Sequence, residues 1–130
     1  MDDADIVADA SAVLALLQAE PFRNFDPERL VGAWISAVNY SEILAKLVSG
    51  GLTSDQADEA VGGLDLRIVP FDAVLARRTA LLAGATRRAG LSLGDRACLC
   101  LGMHLAKPVV TGDRAWRTLR LEGVQVLLIR

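Results

Sequence analysis

Histidine and cysteine, the side chains that most often bind zinc, are scarce in this sequence of 130 residues. The single histidine is His104, and the two cysteines, Cys98 and Cys100, are separated by one residue. This spacing is too short for a structural disulfide framework, and a CxC pair without further cysteines is poor support for a zinc site. We expect both cysteines to be buried, small apolar residues. Without a signal peptide, the chain is expected in a reducing cytoplasm.

The sequence also lacks an excess of basic charge, a long apolar run, internal repeats and low-complexity segments. Its net charge is −2, which excludes a strongly basic, histone-like binder but leaves room for a local basic rim. The apolar segment 97–106 is too short to cross a bilayer and contains His104, so no membrane partner is expected. Hydrophobic residues make up 52% and charged residues 23%, which predicts one folded domain rather than disorder.

Short apolar runs alternate regularly with helical stretches. We predict strands at 5–9, 33–36, 66–69, 108–111 and 124–129. Helices are predicted after an N-cap at Ser11, over 43–48, 53–62, 73–89 and 95–106, and after Asp113, with a short helix or loop at 24–30. This alternation indicates an α/β domain with a largely parallel sheet.

Four acidic residues from four segments fall near one predicted edge of this sheet. Asp9 ends the first strand, Asp113 follows the fourth, and Glu42 lies in the first turns of the helix after the second. Asp95 begins the helix that leads back into the fourth strand, so it should face the same edge. Because open α/β sheets bind ligands outside the carboxyl ends of their strands, we expect the four carboxylates to meet there.

Carboxylates that converge in this way repel one another unless a cation neutralises them. Two like charges ~4 Å apart repel by roughly 4 kcal/mol at an effective dielectric constant of about 20. Mg²⁺ and Mn²⁺ prefer carboxylate and water oxygens, and such an ion can activate a water and stabilise charge on a phosphate. The residues alone therefore suggest a metal-dependent phosphodiesterase.

Each of these acids also has a purely structural interpretation. Asp95 alone is better explained as a helix cap, and Asp113 alone could form an Asx turn. Asp9 could equally be a turn residue, and Glu42 alone would usually be an exposed helix charge. The shared strand-end position of all four favours the joint functional interpretation over four coincidences.

Four motifs surround the acids, with the sequences DASAVLALL at 9–17, VNYSEIL at 38–44, LSLGDRACL at 91–99 and VTGDRAW at 110–116. In this order and spacing they resemble the PIN domain, and within it the VapC toxins of bacterial toxin–antitoxin modules. Any one motif would be weakly specific. Together they cover almost the whole chain, as a single PIN-like domain over residues 1–130.

The resemblance implies a three-layer α/β/α fold around a central, largely parallel five-stranded sheet. It also implies a Mg²⁺- or Mn²⁺-dependent endoribonuclease, in which a metal-activated water cleaves the phosphodiester bonds of RNA, such as tRNA or rRNA. A VapB-like antitoxin would occlude the acidic cleft, with an arginine of its tail as the expected contact. The resemblance further implies a homodimer.

Residue by residue, Asp9 and Asp95 match the main metal-binding aspartates of the family. Glu42 and Asp113 match the acids that complete the cluster, either directly or through water. Since none of the four acids is missing from the motifs, nothing in the sequence indicates an inactive member of the family.

Supporting residues follow from the same motifs. Ser11 and Thr111 match small hydroxyl residues that often support the metal ligands, and Asn39 should share a helix face with Glu42 and orient it. Arginines near the site acids could form a basic rim that holds RNA phosphates, with solvated helix charge as the alternative. These arginines are Arg96, Arg114, Arg117 and Arg120.

Two other functions are compatible with parts of the pattern. A haloacid-dehalogenase-type phosphatase needs a second aspartate where Ser11 stands and a catalytic lysine, but Lys46 and Lys107 are not at convincing strand ends. A non-catalytic PIN-like module that binds RNA or protein would usually have lost one or more of the acids.

The remaining polar residues are not expected to take part in the site. His104 lies nine residues after Asp95, about 180° around an ideal helix, and should therefore face away from the acids. Asp2, Asp3 and Asp5 are interpreted as a frayed, acidic N-terminus.

Overall fold

The computed structural model describes residues 5–130, so Asp2 and Asp3 lie outside the described residues. One five-stranded sheet has the order β3-β2-β1-β4-β5, and every neighbouring pair is parallel. The strands are β1 Val7–Ala8, β2 Trp34–Ser36, β3 Arg67–Val69, β4 Val109–Thr111 and β5 Val126–Leu128. The predicted α/β class is confirmed, and the sheet is parallel throughout rather than largely so.

Six α-helices and three 3₁₀ turns connect the strands within residues 5–130. The helices are α1 Ala10–Leu17, α2 Ala37–Ser49, α3 Ser54–Gly62, α4 Ala73–Leu81, α5 Ala83–Thr86 and α6 Leu93–Leu105. The 3₁₀ turns are Pro27–Leu30, Arg87–Ala89 and Arg114–Thr118. No helix in this part of the chain is long and apolar enough to cross a membrane.

The three layers follow from the alternation of side chains along the strands. Ala8 and Val110 pack into one hydrophobic cluster with α1, α2 and α3, whereas their neighbours Val7 and Val109 pack into a second with α4 and α6. Successive side chains of a strand point to opposite faces, so a sheet with both faces covered needs continuous apolar runs. The strand sequences meet this need.

Several predicted helix boundaries differ from the structure, those of α1 and α4 among them. The first helix begins at Ala10, with Asp9 rather than Ser11 at the N-cap position. The Ser11 hydroxyl donates to Asp9 and accepts from the amide of Gly112, so it caps no amide of α1. The predicted helix 73–89 ends at Leu81 and continues as α5 and a 3₁₀ turn. There the amide of Leu82 donates to the carbonyl of Thr79, which tightens the last turn of α4, and the weak helix former Gly84 follows.

The ends of the chain differ from the expectation in smaller ways. Strand β1 is shorter than the predicted 5–9, and β5 is shorter than 124–129. Asp5 is exposed, and its Oδ2 forms an ion pair with Nη2 of Arg29 at 3.0 Å.

Candidate functional site

All four predicted site acids line one cleft of about 220 Å³ at the carboxyl ends of β1 and β4. Its walls are Asp9, Ala10, Ser11, Glu42, Lys46, Ser92, Asp95 and Asp113. Parallel pairing of β1 with β4 brings the residues that follow these strands to one edge of the sheet. The turn into α1, the first turns of α2 and the start of α6 supply the other walls.

Asp9 is the most enclosed of the acids, with 4% of its surface exposed. Its Oδ2 accepts hydrogen bonds from Ser11 Oγ at 2.6 Å and Thr111 Oγ1 at 2.9 Å. Burial raises the pKa of Asp9, the two hydroxyl donors partly oppose that rise, and the charges of Asp95 and Glu42 add to it. The neighbouring acids are therefore close enough to act on Asp9 electrostatically.

The hydroxyls of Ser11 and Thr111 connect the chain after β1 to the end of β4. Their hydroxyl oxygens lie 3.1 Å apart. Ser11 Oγ accepts from the amide of Gly112 at 2.8 Å, and Thr111 Oγ1 accepts from the amide of Asp113 at 3.1 Å. The same two hydroxyls thus orient the Asp9 carboxylate and fix the backbone that leads to Asp113.

Glu42 is oriented by Asn39, as the spacing on α2 predicts. Asn39 is fully buried, and its Nδ2 donates to Glu42 Oε1 at 3.0 Å and to the carbonyl of Gly94 at 2.9 Å. A β-carbon at Gly94 would lie 2.6 Å from Cδ of Glu42, so only glycine allows α6 to approach the carboxylate this closely. Asn39 therefore ties α2 to α6 at the cleft.

Asp95 is a capping residue and a wall of the cleft at once. Helix α6 begins at Leu93, two residues earlier than predicted, with Ser92 as its N-cap. Asp95 Oδ2 accepts from the amide of Ser92 at 3.0 Å, and Ser92 Oγ accepts from the amide of Asp95 at 3.2 Å. This reciprocal capping box occupies one carboxylate oxygen of Asp95.

Asp113 likewise has a local role. Its Oδ1 accepts from the amide of Ala115 at 2.9 Å, which makes the predicted Asx turn and caps the 3₁₀ turn Arg114–Thr118. Asp113 is exposed, whereas Asp9 is buried. The acids therefore differ in environment, although they line the same cleft.

A model of the PIN domain matches residues 6–121. This chain belongs to the PIN domain family. No protein of curated function matches it significantly.

Solved structures share the fold of this PIN domain at low sequence identity. A chain of VapBC2 from Rickettsia felis, bound to a DNA fragment from their promoter, has a TM-score of 0.73 at 14% identity, over 96% of this chain and 98% of that chain. A chain of DNA-bound VapBC from Salmonella typhimurium has a TM-score of 0.72 at 15% identity, over 97% of this chain and 98% of that chain. A chain of VapBC-5 from Mycobacterium tuberculosis has a TM-score of 0.60 at 24% identity, over 98% of both chains. These similarities confirm the PIN-like three-layer fold.

Two polar residues of the PIN cleft, Lys46 and Ser92, were not predicted from the sequence. Lys46 is the only basic residue among the cleft walls in the described part of the chain, and it lies one helical turn after Glu42. Ser92 lies three residues before Asp95, the spacing of a capping box. Both spacings are visible in the sequence and could have identified these residues.

The arginines of the predicted basic rim do not line this cleft within residues 5–130. Arg96 Nη1 donates to the carbonyl of Thr79 on α4 at 3.3 Å. Arg117 lines a separate cavity of about 300 Å³ beside β5, Arg120 donates to the carbonyl of Arg117, and Arg114 is exposed. A rim that holds RNA therefore stays a prediction.

His104 and the cysteines are placed as expected. Nδ1 of His104 lies 3.1 Å from Nη1 of Arg78, in a cavity of about 230 Å³ apart from the acids. Cys98 and Cys100 are buried. Burial raises the pKa of Cys98 well above its ordinary range, and the negative charges of Asp9 and Asp95 add to the effect. Cys98 is thus a neutral thiol beneath the cleft.

The donor atoms of the cleft suit a hard divalent cation. Within residues 5–130, no three histidine, cysteine, aspartate or glutamate side chains are arranged as a complete metal-binding cluster. Mg²⁺ does not need one, because it commonly keeps several waters and binds through one or two carboxylates. Asp9 lines the cleft, and its Oδ1 atom makes no hydrogen bond to any described residue, which leaves this atom available as a ligand.

Proposed function

We propose that this PIN domain is a metal-dependent endoribonuclease, the toxin of a VapBC-type toxin–antitoxin module, which cleaves phosphodiester bonds in tRNA or rRNA. The observation that carries the proposal is the single cleft that four carboxylates from four chain segments line. Family membership supports it, because the matched residues 6–121 include all four acids, which the resemblance of the sequence motifs assigns to the site of the family.

Each residue has a defined part in this proposal. Asp9 and Asp95 would hold Mg²⁺ or Mn²⁺ directly, and Glu42 and Asp113 directly or through water. When bound, the ion supplies positive charge for the phosphate and lowers the pKa of a water. Ser11 and Thr111 hold Asp9 in place for this task.

Lys46 and Asn39 would complete the site around the acids. The side chain of Lys46 at the cleft wall offers a positive charge to an incoming phosphate. Asn39 fixes the carboxylate of Glu42 through the bond to Oε1 and so keeps it directed at the cleft.

The proposed partner is a VapB-like antitoxin. The solved structures with this fold include the VapBC assemblies of Rickettsia felis and Salmonella typhimurium. A carboxylate-lined cleft accepts an arginine side chain through strong, charge-assisted hydrogen bonds, so an antitoxin tail with an arginine would block it. A homodimer and a cytoplasmic location complete the proposal.

The deciding experiment is cleavage of a tRNA and rRNA pool by the purified chain, with Mn²⁺ or Mg²⁺ and with EDTA, followed by sequencing of the new RNA ends. We expect cleavage at defined sites with metal and none with EDTA. Asp9→Asn and Asp95→Asn should lose about 100-fold or more, since even outer-shell changes cost 10- to 100-fold. The exposed Asp58 on α3 supplies the control, Asp58→Asn, which should retain activity.

A non-catalytic module that binds RNA or protein is the alternative, and the incomplete metal cluster within residues 5–130 is the observation in its favour. This alternative predicts RNA binding without new ends under any metal condition. Full activity of Asp9→Asn or Asp95→Asn in a folded protein would contradict the proposed site.

A further inference from the structure

A second, larger groove opens directly beside the acidic cleft. It has a volume of about 570 Å³ and lies between the first turns of α2 and α6 and the loop that joins β3 to α4. Glu42 and Ser92 line both the groove and the cleft, so the two spaces adjoin.

We propose that this groove binds an unpaired nucleobase of the RNA, next to the phosphate that occupies the acidic cleft. The inference rests on the proposed nuclease function and adds a specificity-determining subsite to it. Phe71 is the stacking residue of this subsite, with Val38 and Leu93 as the apolar walls.

The walls of the groove have the chemistry that a base requires. Phe71 is the aromatic residue of the groove, and bases of single-stranded RNA stack on aromatic side chains whatever their sequence. Leu93 is 50% exposed, which leaves apolar surface open to a ligand. The hydroxyls of Ser41 and Ser92 at the groove supply hydrogen-bonding groups for the edge of the base.

The groove is held in a fixed shape. Asn39 Nδ2 donates to the carbonyl of Gly94 at 2.9 Å and so joins its two helical walls. Phe71 packs against the core cluster of α4 and α6. It also directly precedes Asp72, whose Oδ1 accepts from the amide of Leu75 at 3.0 Å and caps α4. A preformed platform loses little entropy when a base stacks on it.

The distribution of charge favours an RNA strand over other occupants. No basic residue in the described part of the chain lines the groove, and Glu42 at its junction with the cleft repels a phosphate there. The groove therefore suits a neutral group, while the cleft suits a phosphate with its cation. A single strand of RNA presents these two groups side by side in every nucleotide.

The test compares cleavage of three oligoribonucleotides. One is an intact single strand that spans a site cut by the wild-type chain, and the other two carry an abasic residue before or after the cut. Phe71→Leu keeps an apolar side chain for folding but removes the ring, and Leu93→Ser changes a half-exposed wall. We expect each to raise KM for the intact strand, by about 10-fold for Phe71→Leu, since stacking on one aromatic residue contributes about 1–3 kcal/mol per base.

Two further results separate stacking from a structural effect. The wild-type chain should lose about 10-fold in kcat/KM on one of the abasic strands, whereas Phe71→Leu should cut the intact and abasic strands equally. Phe71→Tyr, which keeps an aromatic ring, should cut the intact strand in preference to the abasic strand, as the wild-type chain does. Phe25→Leu is the matched control, because Phe25 is half-buried against Phe22 and Arg29 away from the cleft.

The outcomes that overturn the subsite are distinct from failure of the nuclease function. If the wild-type chain cuts RNA but Phe71→Leu and Leu93→Ser keep its KM and its discrimination against the abasic strand, the groove does not bind a base. The same conclusion follows if these variants cut RNA normally and lose only binding of a co-expressed antitoxin. If the wild-type chain cuts no RNA with Mn²⁺, the nuclease function fails, and the subsite with it.

Discussion

The hydroxyl of Thr111 donates a hydrogen bond of 2.9 Å to Oδ2 of Asp9, across 102 residues of sequence. Asp9 follows the central strand β1, and Thr111 ends its neighbour β4, so the bond joins these two strands at the edge of the sheet where the acids lie. The hydrogen bonds of the acidic cleft therefore also connect strands of the sheet. Substitution of the polar residues in the cleft should affect the stability of the fold as well as activity.

Replacement of Thr111 by valine should measure the contribution of this hydroxyl, which also accepts from the amide of Asp113. Valine has nearly the same shape but leaves the buried carboxylate of Asp9 with one hydroxyl donor instead of two. We expect Thr111→Val to lower the free energy of unfolding by about 1–2 kcal/mol in urea denaturation. Thr118→Val removes an exposed hydrogen bond from the Thr118 hydroxyl to the carbonyl of Ala115, and it should change the free energy of unfolding by less than about 0.5 kcal/mol. Equal effects of the two changes would contradict a special role for Thr111.

The raised pKa of Asp9 predicts how the stability of the metal-free protein depends on pH. The ordinary value is 3.8, and burial raises it in the folded chain. A folded protein that binds the proton more tightly has its full stability below pH 3.8 and loses part of it as the pH rises through the raised pKa. In EDTA at pH 7, Asp9→Asn should therefore melt a few degrees higher than the wild-type chain.

The pH series itself provides the internal control for this prediction. The difference in melting temperature between Asp9→Asn and the wild-type chain should shrink as the pH falls toward 3.8. Asp58→Asn, which changes an exposed acid, should follow the wild-type curve throughout. A wild-type chain that is more stable than Asp9→Asn at pH 7 in EDTA would show that the carboxylate stabilises the fold.

Much of the fold was predictable because strands and acids carry local signals. Apolar runs such as those around Val7 and Val109 identify strands buried on both faces, and parallel pairing then places Asp9 and Asp113 at one edge. The positions of Ser11, Asn39 and Thr111 near the acids follow from the same placement.

What the sequence did not predict depends on long-range packing. The end of α4 at Leu81 depends on one tightened turn, which no residue pattern identifies. The guanidinium of Arg96 contacts the carbonyl of Thr79 on α4, and its direction is decided by the packing of α6 against that helix. The cap of α6 at Ser92 is visible as a capping-box spacing, but the cap was predicted at Asp95, which is the third residue of the helix.

Binding of a divalent cation should be measurable without any RNA. An ion that binds only the folded chain stabilises it by about 2.7 kcal/mol at a concentration 100 times its Kd. We expect Mg²⁺ or Mn²⁺ to raise the Tm of the wild-type chain and of Asp58→Asn, but much less that of Asp9→Asn or Asp95→Asn. An equal shift in all four proteins would place the ion outside the acidic cleft.

A single methyl group at Gly94 should disturb the cleft. In Gly94→Ala the new β-carbon would overlap the carboxylate of Glu42, which must then leave the position that Asn39 gives it. We expect cleavage to fall about 10- to 100-fold, as for loss of an outer-shell contact. In Gly62→Ala, by contrast, the β-carbon meets nothing within 4 Å, so this variant should cleave normally. Normal cleavage by Gly94→Ala would show that the position of Glu42 is not critical.

Lys46 should act on RNA binding through its charge. It is the basic residue of the cleft wall and makes no ion pair to any described residue, so its ammonium group is available for a phosphate. When one contact to a phosphate is removed, the slope of the logarithm of the RNA-binding constant against the logarithm of the salt concentration falls in magnitude by about one. We expect Asp9→Asn to bind RNA without cutting it. In that background, a further Lys46→Met change should weaken binding and reduce this slope, whereas Lys46→Arg should preserve both. Lys107→Met, at the other lysine of the chain, should leave the slope unchanged. If Lys46→Met and Lys107→Met gave the same slope, the charge at the cleft would not contact the RNA backbone.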